Sequence, residues 1–185
     1  KEYYAIISHL DHQIGVILDA VEDLKDKNTY IIFTSDHGLA MGKHGLLGKQ
    51  NLFDHSIRVP MIIAGPDVPK NKKIHHDVYL QDAMATTIDI AGIDKPDYVW
   101  FNSFFDLAKG AEVKGNYNAI YGAYLDVQRM IRKDNFKLLV YPKINKTLLF
   151  DLINDPEEMQ NLAQVPEHKN RVKALFNSLL ELQKE

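Results

Sequence analysis

The sequence predicts an α/β fold over residues 1–112, followed over residues 113–185 by a small antiparallel sheet with a C-terminal helix. Residues 30–34 and 59–64 are short apolar runs that each lead into a glycine-bearing turn, the pattern of strands covered on both faces in a mostly parallel sheet. From Tyr117 onward the pattern changes to short β-prone runs split by polar turns, the spacing of an antiparallel meander.

The elements follow in order. Ile7, Leu10, Ile14, Ile17, Val21 and Leu24 recur in steps of three and four, so residues 2–27 form an amphipathic helix with His9, Asp11, His12 and Asp19 mostly off its apolar stripe. Asn28-Thr29 ends it and leads into the first strand. Residues 36–56 form a long loop punctuated by Gly38, Gly42, Gly45 and Gly48, and loops of that length inside a compact domain are functional or disordered. After the second strand a loop rich in Pro and Lys precedes a helix over 80–91, stopped by Gly92. The meander strands fall at 117–124, 127–132, 136–141 and 147–152, too closely connected for parallel crossovers. A last helix over 167–183 places Val172, Leu175, Phe176, Leu179 and Leu180 on one face.

Composition narrows the function classes. A net charge of −3 with dispersed Lys and Glu leaves no basic footprint for nucleic acid. No apolar run approaches the roughly 20 residues that span a bilayer. The absence of cysteine excludes disulfides and a cysteine nucleophile within these residues. Lys1 reads as an internal start, so a missing signal peptide carries no information about export.

The chemistry concentrates after the first strand. Asp36-His37-Gly38 stands at its carboxyl end, where open α/β sheets gather ligand-binding side chains. The pair reads as two ligands to one divalent ion, with a capping Asp and a core His as the alternative. Lys49 follows within one loop and supplies a fixed cation. Imidazole suits Zn or Mn, whereas Ca takes oxygen ligands, so the residue types leave the ion open. His44 lines the pocket or supports the loop, and Asp54, His55 and Arg58 brace it. His75 and His76 would face opposite sides of a strand, which opposes a joint metal site. The sequence has no H-E-x-x-H, G-x-S-x-G or phosphate-cradling glycine loop.

These residues resemble the sulfatase branch of the alkaline-phosphatase-like hydrolases. Tyr30 to Gly38 resembles the family's I-x-x-[FT]-[ST]-[SA]-D-[HN]-G strand end, with Tyr30 at the isoleucine position, Gly42 to Lys49 its G-x-H-G-x-x-x-K segment, and Arg58-Val59-Pro60 its R-V-P. Lys43 stands where the family commonly carries an acid. Asp82 through Thr86 to Ala91-Gly92 resembles D-x-x-P-T-[LI]-x-x-[LI]-A-G, with Ala85 for proline, and Asn102 replaces the glycine of the segment that borders substrate. Asp151-Leu152 through Asp155-Pro156, Glu158 and Asn161-Leu162 resembles the terminal D-L-x-x-D-P-x-E-x-x-N-L, read as structural: Asp155-Pro156 makes a turn and Asn161 bonds to backbone.

The resemblance implies the C-terminal portion of a sulfuric ester hydrolase of the arylsulfatase type. Asp36 and His37 would bind the metal, Ca²⁺ being the family's usual ion and Mn²⁺ or Zn²⁺ the alternatives, and Lys49 would be the catalytic cation. The nucleophile, a formylglycine made from Cys or Ser, is expected in a missing N-terminal part. Its hydrate would attack sulfur and leave a covalent sulfate. The chain alone is then expected to be inactive and, through an apolar patch left open, to self-associate. The implied substrate is a sulfated small molecule or glycan, and the implied location of the parent enzyme is periplasmic or secreted. The alternatives are a phosphonate or phosphodiester hydrolase of the same superfamily, or a non-catalytic piece that only binds or assembles.

Overall fold

The structure, a computed structural model, describes residues 1–184. Helix α1 (Glu2–Asp23) leads into strand β1 (Ile31–Thr34). The loop beyond β1 holds a 3-10 turn at Lys43–Gly45 and the single turn α2 (Asp54–Ile57), then enters β2 (Met61–Ala64). Helices α3 (Asp82–Ile90) and α4 (Phe105–Ala108) follow. Strands β3 (Ile120–Tyr124), β4 (Gln128–Lys133), β5 (Phe136–Tyr141) and β6 (Lys146–Asp151) form a meander in that spatial order, and α5 (Lys169–Leu182) closes the chain. Among the described residues no helix is long and apolar enough to cross a membrane.

Strands β1 and β2 pair antiparallel, with Thr34 opposite Met61 and Ile31 opposite Ala64, which corrects the expectation of a parallel pair. A parallel neighbour needs a crossover long enough to return the chain to the other end of the sheet. The loop between these strands holds only two short helical turns, so β2 begins beside the end of β1. Thr34 Oγ1 donates to the carbonyl of Pro60 at 2.8 Å and pins that junction. The pair is also not covered on both faces. Met61 and Ile63 pack on Phe104, Leu107 and Ala108, whereas Ile62 is 59% exposed.

The meander takes the expected form. Asp134 and Asn135 both adopt positive φ (50° and 62°) in a two-residue turn between Lys133 and Phe136, the backbone that matches strand twist. Apolar residues alternate across the sheet and both faces are covered. Met130, Leu139 and Phe150 pack against Leu52 and Phe53 of the long loop, while Ile131, Leu138 and Leu149 pack against Leu175 and Leu179 of α5. Phe176 and Leu180, expected on the same buried stripe of α5, stay on its exposed flank. Helix α1 forms where its periodicity places it but buries none of its side chains.

Charged side chains also lie inside the sandwich. Lys137 shares its face of β5 with Leu139 and Tyr141, is fully buried, and pairs with Asp54 of α2 and with Glu158 at 2.6 Å. Breaking a buried ion pair by removing one partner costs roughly 3–5 kcal/mol, because the other charge stays behind without compensation. Lys137→Ala is therefore expected to lower unfolding stability by about that amount, read as a shift of the denaturant midpoint at unchanged slope.

Candidate metal and anion site

The backbone beyond β1 shapes the site. His37 N–H donates to Asp36 Oδ1 at 2.9 Å, and Ser35 Oγ donates to the His37 carbonyl at 2.9 Å. Gly38 N–H donates to the Ser56 carbonyl at 2.8 Å. That approach needs glycine: a Cβ at Gly38 would meet the His55 carbonyl oxygen at 2.0 Å. The chain then doubles back through two rungs, Ala40 N–H to the Gly48 carbonyl and Gly42 N–H to the Leu46 carbonyl, both 2.8 Å. Gly42 and Gly48 hold φ of 97° and 101°, which glycine adopts without strain. The return brings Lys49 beside Asp36 and His37, its Nζ 2.5 Å from His37 Nε2.

Asp36, His37 and Lys49 thus meet at one end of the first sheet. His37 Nδ1 lies 3.0 Å from the Gly38 carbonyl, which only accepts, so Nδ1 carries a proton. With Lys49 donating to Nε2, that nitrogen presents its lone pair 3.2 Å from Asp36 Oδ2. A carboxylate oxygen and an imidazole nitrogen this close are donor types that suit a divalent ion, and the Lys49 ammonium is the cation that lies against the nitrogen in this structure. The backbone bond from His37, with the Lys49 charge adding to it, holds the Asp36 carboxyl below its usual range, although Asp36 itself is exposed. Among the described residues no group of three or more His, Asp or Glu side chains gathers to hold a metal by itself.

The surrounding residues brace the loop. His44 stacks on Phe53 with ring centroids 4.0 Å apart, and His55 lies beyond Phe53 with both ring nitrogens buried and without partners. Asp54 engages Lys137 and Arg58, the latter at 3.7 Å. Lys43 pairs with Glu157. Glu157, Glu158 and Lys137 are the residues near the site that sequence reasoning missed. The signal for Lys137 was available: with Phe136, Leu138 and Val140 apolar on one face and Leu139 and Tyr141 on the other, a lysine between them has to be buried and paired. Asn161 Oδ1 accepts from the N–H of Leu149 and of Ala163, both at 3.0 Å, as expected of a backbone-bonding residue.

Residues 42–185 match the family model described as N-sulphoglucosamine sulphohydrolase, C-terminal. The chain is 34% identical to an arylsulfatase of Clostridium perfringens over 96% of its own length and 38% of that protein. It is also 34% identical to a choline-sulfatase of Rhizobium meliloti, over 90% of the chain and 33% of that protein. The chain therefore spans between a third and two fifths of the length of these relatives. Among solved structures it is similar to a protein in complex with its substrate D-glucosamine-2-N,6-O-disulfate (TM-score 0.81, 27% identity, 96% of this chain and 39% of that one). It is likewise similar to the phosphonate monoester hydrolase of Agrobacterium radiobacter (TM-score 0.84, 27% identity, 98% of this chain and 40% of that one). These likenesses support the alkaline-phosphatase-like fold expected from the sequence.

Burial lowers the pKa of His55, with His44 and Lys43 adding like charge. A depressed folded-state value means that the unfolded chain binds the proton more readily. The stabilisation is complete above the ordinary value of 6.5 and is lost as pH falls from there through the folded-state value. Stability measured by denaturant titration should decline over that acid range, and His55→Phe should flatten the decline.

Proposed function

This chain belongs to the sulfatase family, and we propose that it supplies two metal ligands and one catalytic cation to an enzyme that hydrolyses sulfuric esters. The observation that carries the reading is the convergence of the Asp36 carboxylate, the His37 Nε2 lone pair and the Lys49 ammonium at the end of β1. Asp36 and His37 would hold a divalent ion, Ca²⁺ on family grounds, with further ligands from the part of the longer relatives that this chain does not span. Bound there, the ion supplies positive charge where the ester oxygens lie. The same reading assigns the formylglycine nucleophile to that other part.

This chain's own residues do the following. The Gly38 carbonyl holds the His37 proton on Nδ1, so Nε2, which Lys49 approaches in this structure, is the nitrogen that would ligate. His37 N–H keeps Asp36 ionised and turned toward the same point. Lys49 places its ammonium where a sulfate ester oxygen gains charge in the transition state, without the cost of reorganising solvent. Residues 1–112 would form part of the α/β core and residues 113–185 the subdomain that supports the loop. The substrate would be a sulfated small molecule or glycan, in keeping with the sulfated sugar held by one structural relative. Phosphonate monoester hydrolysis is the second reading, favoured by the likeness to the Agrobacterium enzyme. Turnover of an aryl sulfate against a phenyl phosphonate by the enzyme carrying this chain separates the two.

Two outcomes test the reading. In the enzyme, Lys49→Ala should retain the metal and lose roughly 10²–10³-fold in kcat, the effect of one oxyanion-stabilising donor. Asp36→Ala and His37→Ala should lose the metal by elemental analysis and most of the activity. Wild-type kcat/KM in Lys49→Ala would refute the role. Residues 1–185 alone should turn over neither sulfate nor phosphate esters, since two ligands make a poor site for a hard ion. Aryl sulfate turnover by the purified chain that disappears in Asp36→Ala would overturn that expectation.

A further inference from the structure

We propose that Glu158 is a positioning residue of this site, setting the place of Lys49 through Asp54. The inference rests on the reading of Lys49 as the cation that meets the substrate anion. Glu158 belongs to the terminal segment, 104 residues beyond Asp54, yet one of its carboxylate oxygens accepts the Asp54 N–H at 2.7 Å. The other accepts from the Lys137 ammonium at 2.6 Å, and that ammonium also donates to the Asp54 carboxylate. The Glu158 side chain is 1% exposed and that of Lys137 0%. Asp54 is therefore held at its backbone by Glu158 and at its side chain by Lys137.

Asp54 stands between the two halves of the site. Downstream, α2 carries the Ser56 carbonyl that accepts the Gly38 N–H next to the ligand pair. Upstream, Phe53 N–H donates to Asn51 Oδ1 at 3.1 Å, and Asn51 N–H donates to the Lys49 carbonyl at 2.8 Å. A shift of Asp54 is passed along short hydrogen-bonded steps to Lys49 on one side and to Gly38 on the other. Glu158 is itself fixed. Its φ is 58°, and the turn that holds it is tied by Asp155, whose carboxylate accepts from the N–H of Met159 and Gln160 at 3.0 and 2.8 Å. The adjacent Glu157 pairs with Lys43 at the far end of the same loop. The terminal segment thus grips the loop at two points, and only the Glu158 grip is fully desolvated, where electrostatic bonds are strongest.

A residue that merely stabilises the fold would leave the activity of the folded enzyme unchanged, whereas one that acts through Lys49 would not. The test is a double-mutant cycle in the enzyme carrying this chain, with nitrophenyl sulfate as the probe and rates normalised to folded protein. Glu158→Gln keeps the side-chain volume and an acceptor for the Asp54 N–H, and leaves Asp54 as the only anion on Lys137. It should lower kcat roughly 10- to 100-fold with KM little changed, as misplacement of a catalytic group by a fraction of an ångström to about 1 Å does. In a Lys49→Ala background the same substitution should change kcat less than about twofold, because groups acting as one unit are not additive. Amide exchange over residues 49–56 should quicken in Glu158→Gln whatever the substrate. If Glu158→Gln does not fold, Lys137→Met/Glu158→Gln removes the buried cation together with its anion, and the cycle is run on that pair. Wild-type kcat in folded Glu158→Gln, or an undiminished loss in the Lys49→Ala background, overturns the proposal alone. Wild-type activity in Lys49→Ala itself overturns both this proposal and the role given to Lys49.

Discussion

The arrangement of this molecule depends on one buried ammonium. Desolvating Lys137 is tolerable only if carboxylates converge on it with good geometry. Those carboxylates come from positions 83 residues upstream and 21 residues downstream. A single electrostatic requirement therefore ties the long loop, the middle of the meander and the terminal segment together. Apolar burial alone would be less exacting: Leu52 and Phe53 seat the loop on the sheet, but hydrophobic contact is non-directional and tolerates sliding. The charge cluster supplies the register that packing leaves free, and the hydrogen bond from Leu52 N–H to Gln128 Oε1 at 3.2 Å adds a second peg.

Elements with local signals were legible in the sequence. Asp134-Asn135 between two apolar runs announces a tight turn, and the turn has the expected backbone. The glycines of residues 38–48 announce a long loop, and the structure folds it back through two rungs that lead to Lys49. Non-local choices were less legible. Whether β2 runs with or against β1 depends on the path between them, and apolar content alone carries no direction. The Asp-Pro turn was readable as a turn, but not as the mount for a glutamate that reaches across to the loop. Pairing partners so far apart in the chain leave no trace in local composition, although the burial of Lys137 followed from the apolar residues on both faces of its strand.

Periodicity also identifies which face of an element is covered without identifying the cover. The stripe of α1 is regular, and α1 buries none of its side chains, with Leu10 and Ile17 more than half exposed. Ile62 on β2 is in the same condition. Such surfaces are written for burial against a partner. The chain matches relatives more than twice its length.

The two halves of the site are held by different means. Asp36 and His37 are oriented mostly by bonds within a few residues: the His37 N–H to the Asp36 carboxylate, His37 Nδ1 to the Gly38 carbonyl and Ser35 Oγ to the His37 carbonyl. Lys49 sits at the end of a flexible stem on a loop whose position is set by distant segments. Local bonds survive as long as the strand end survives, whereas tertiary anchoring weakens with any loosening of the meander. Asp36 and His37 are accordingly the more locally held half, and Lys49 the half that depends on distant segments. On the reading proposed for this site, a change in the terminal segment or in β5 reaches it through α2, at Lys49 on one side and at Gly38 on the other.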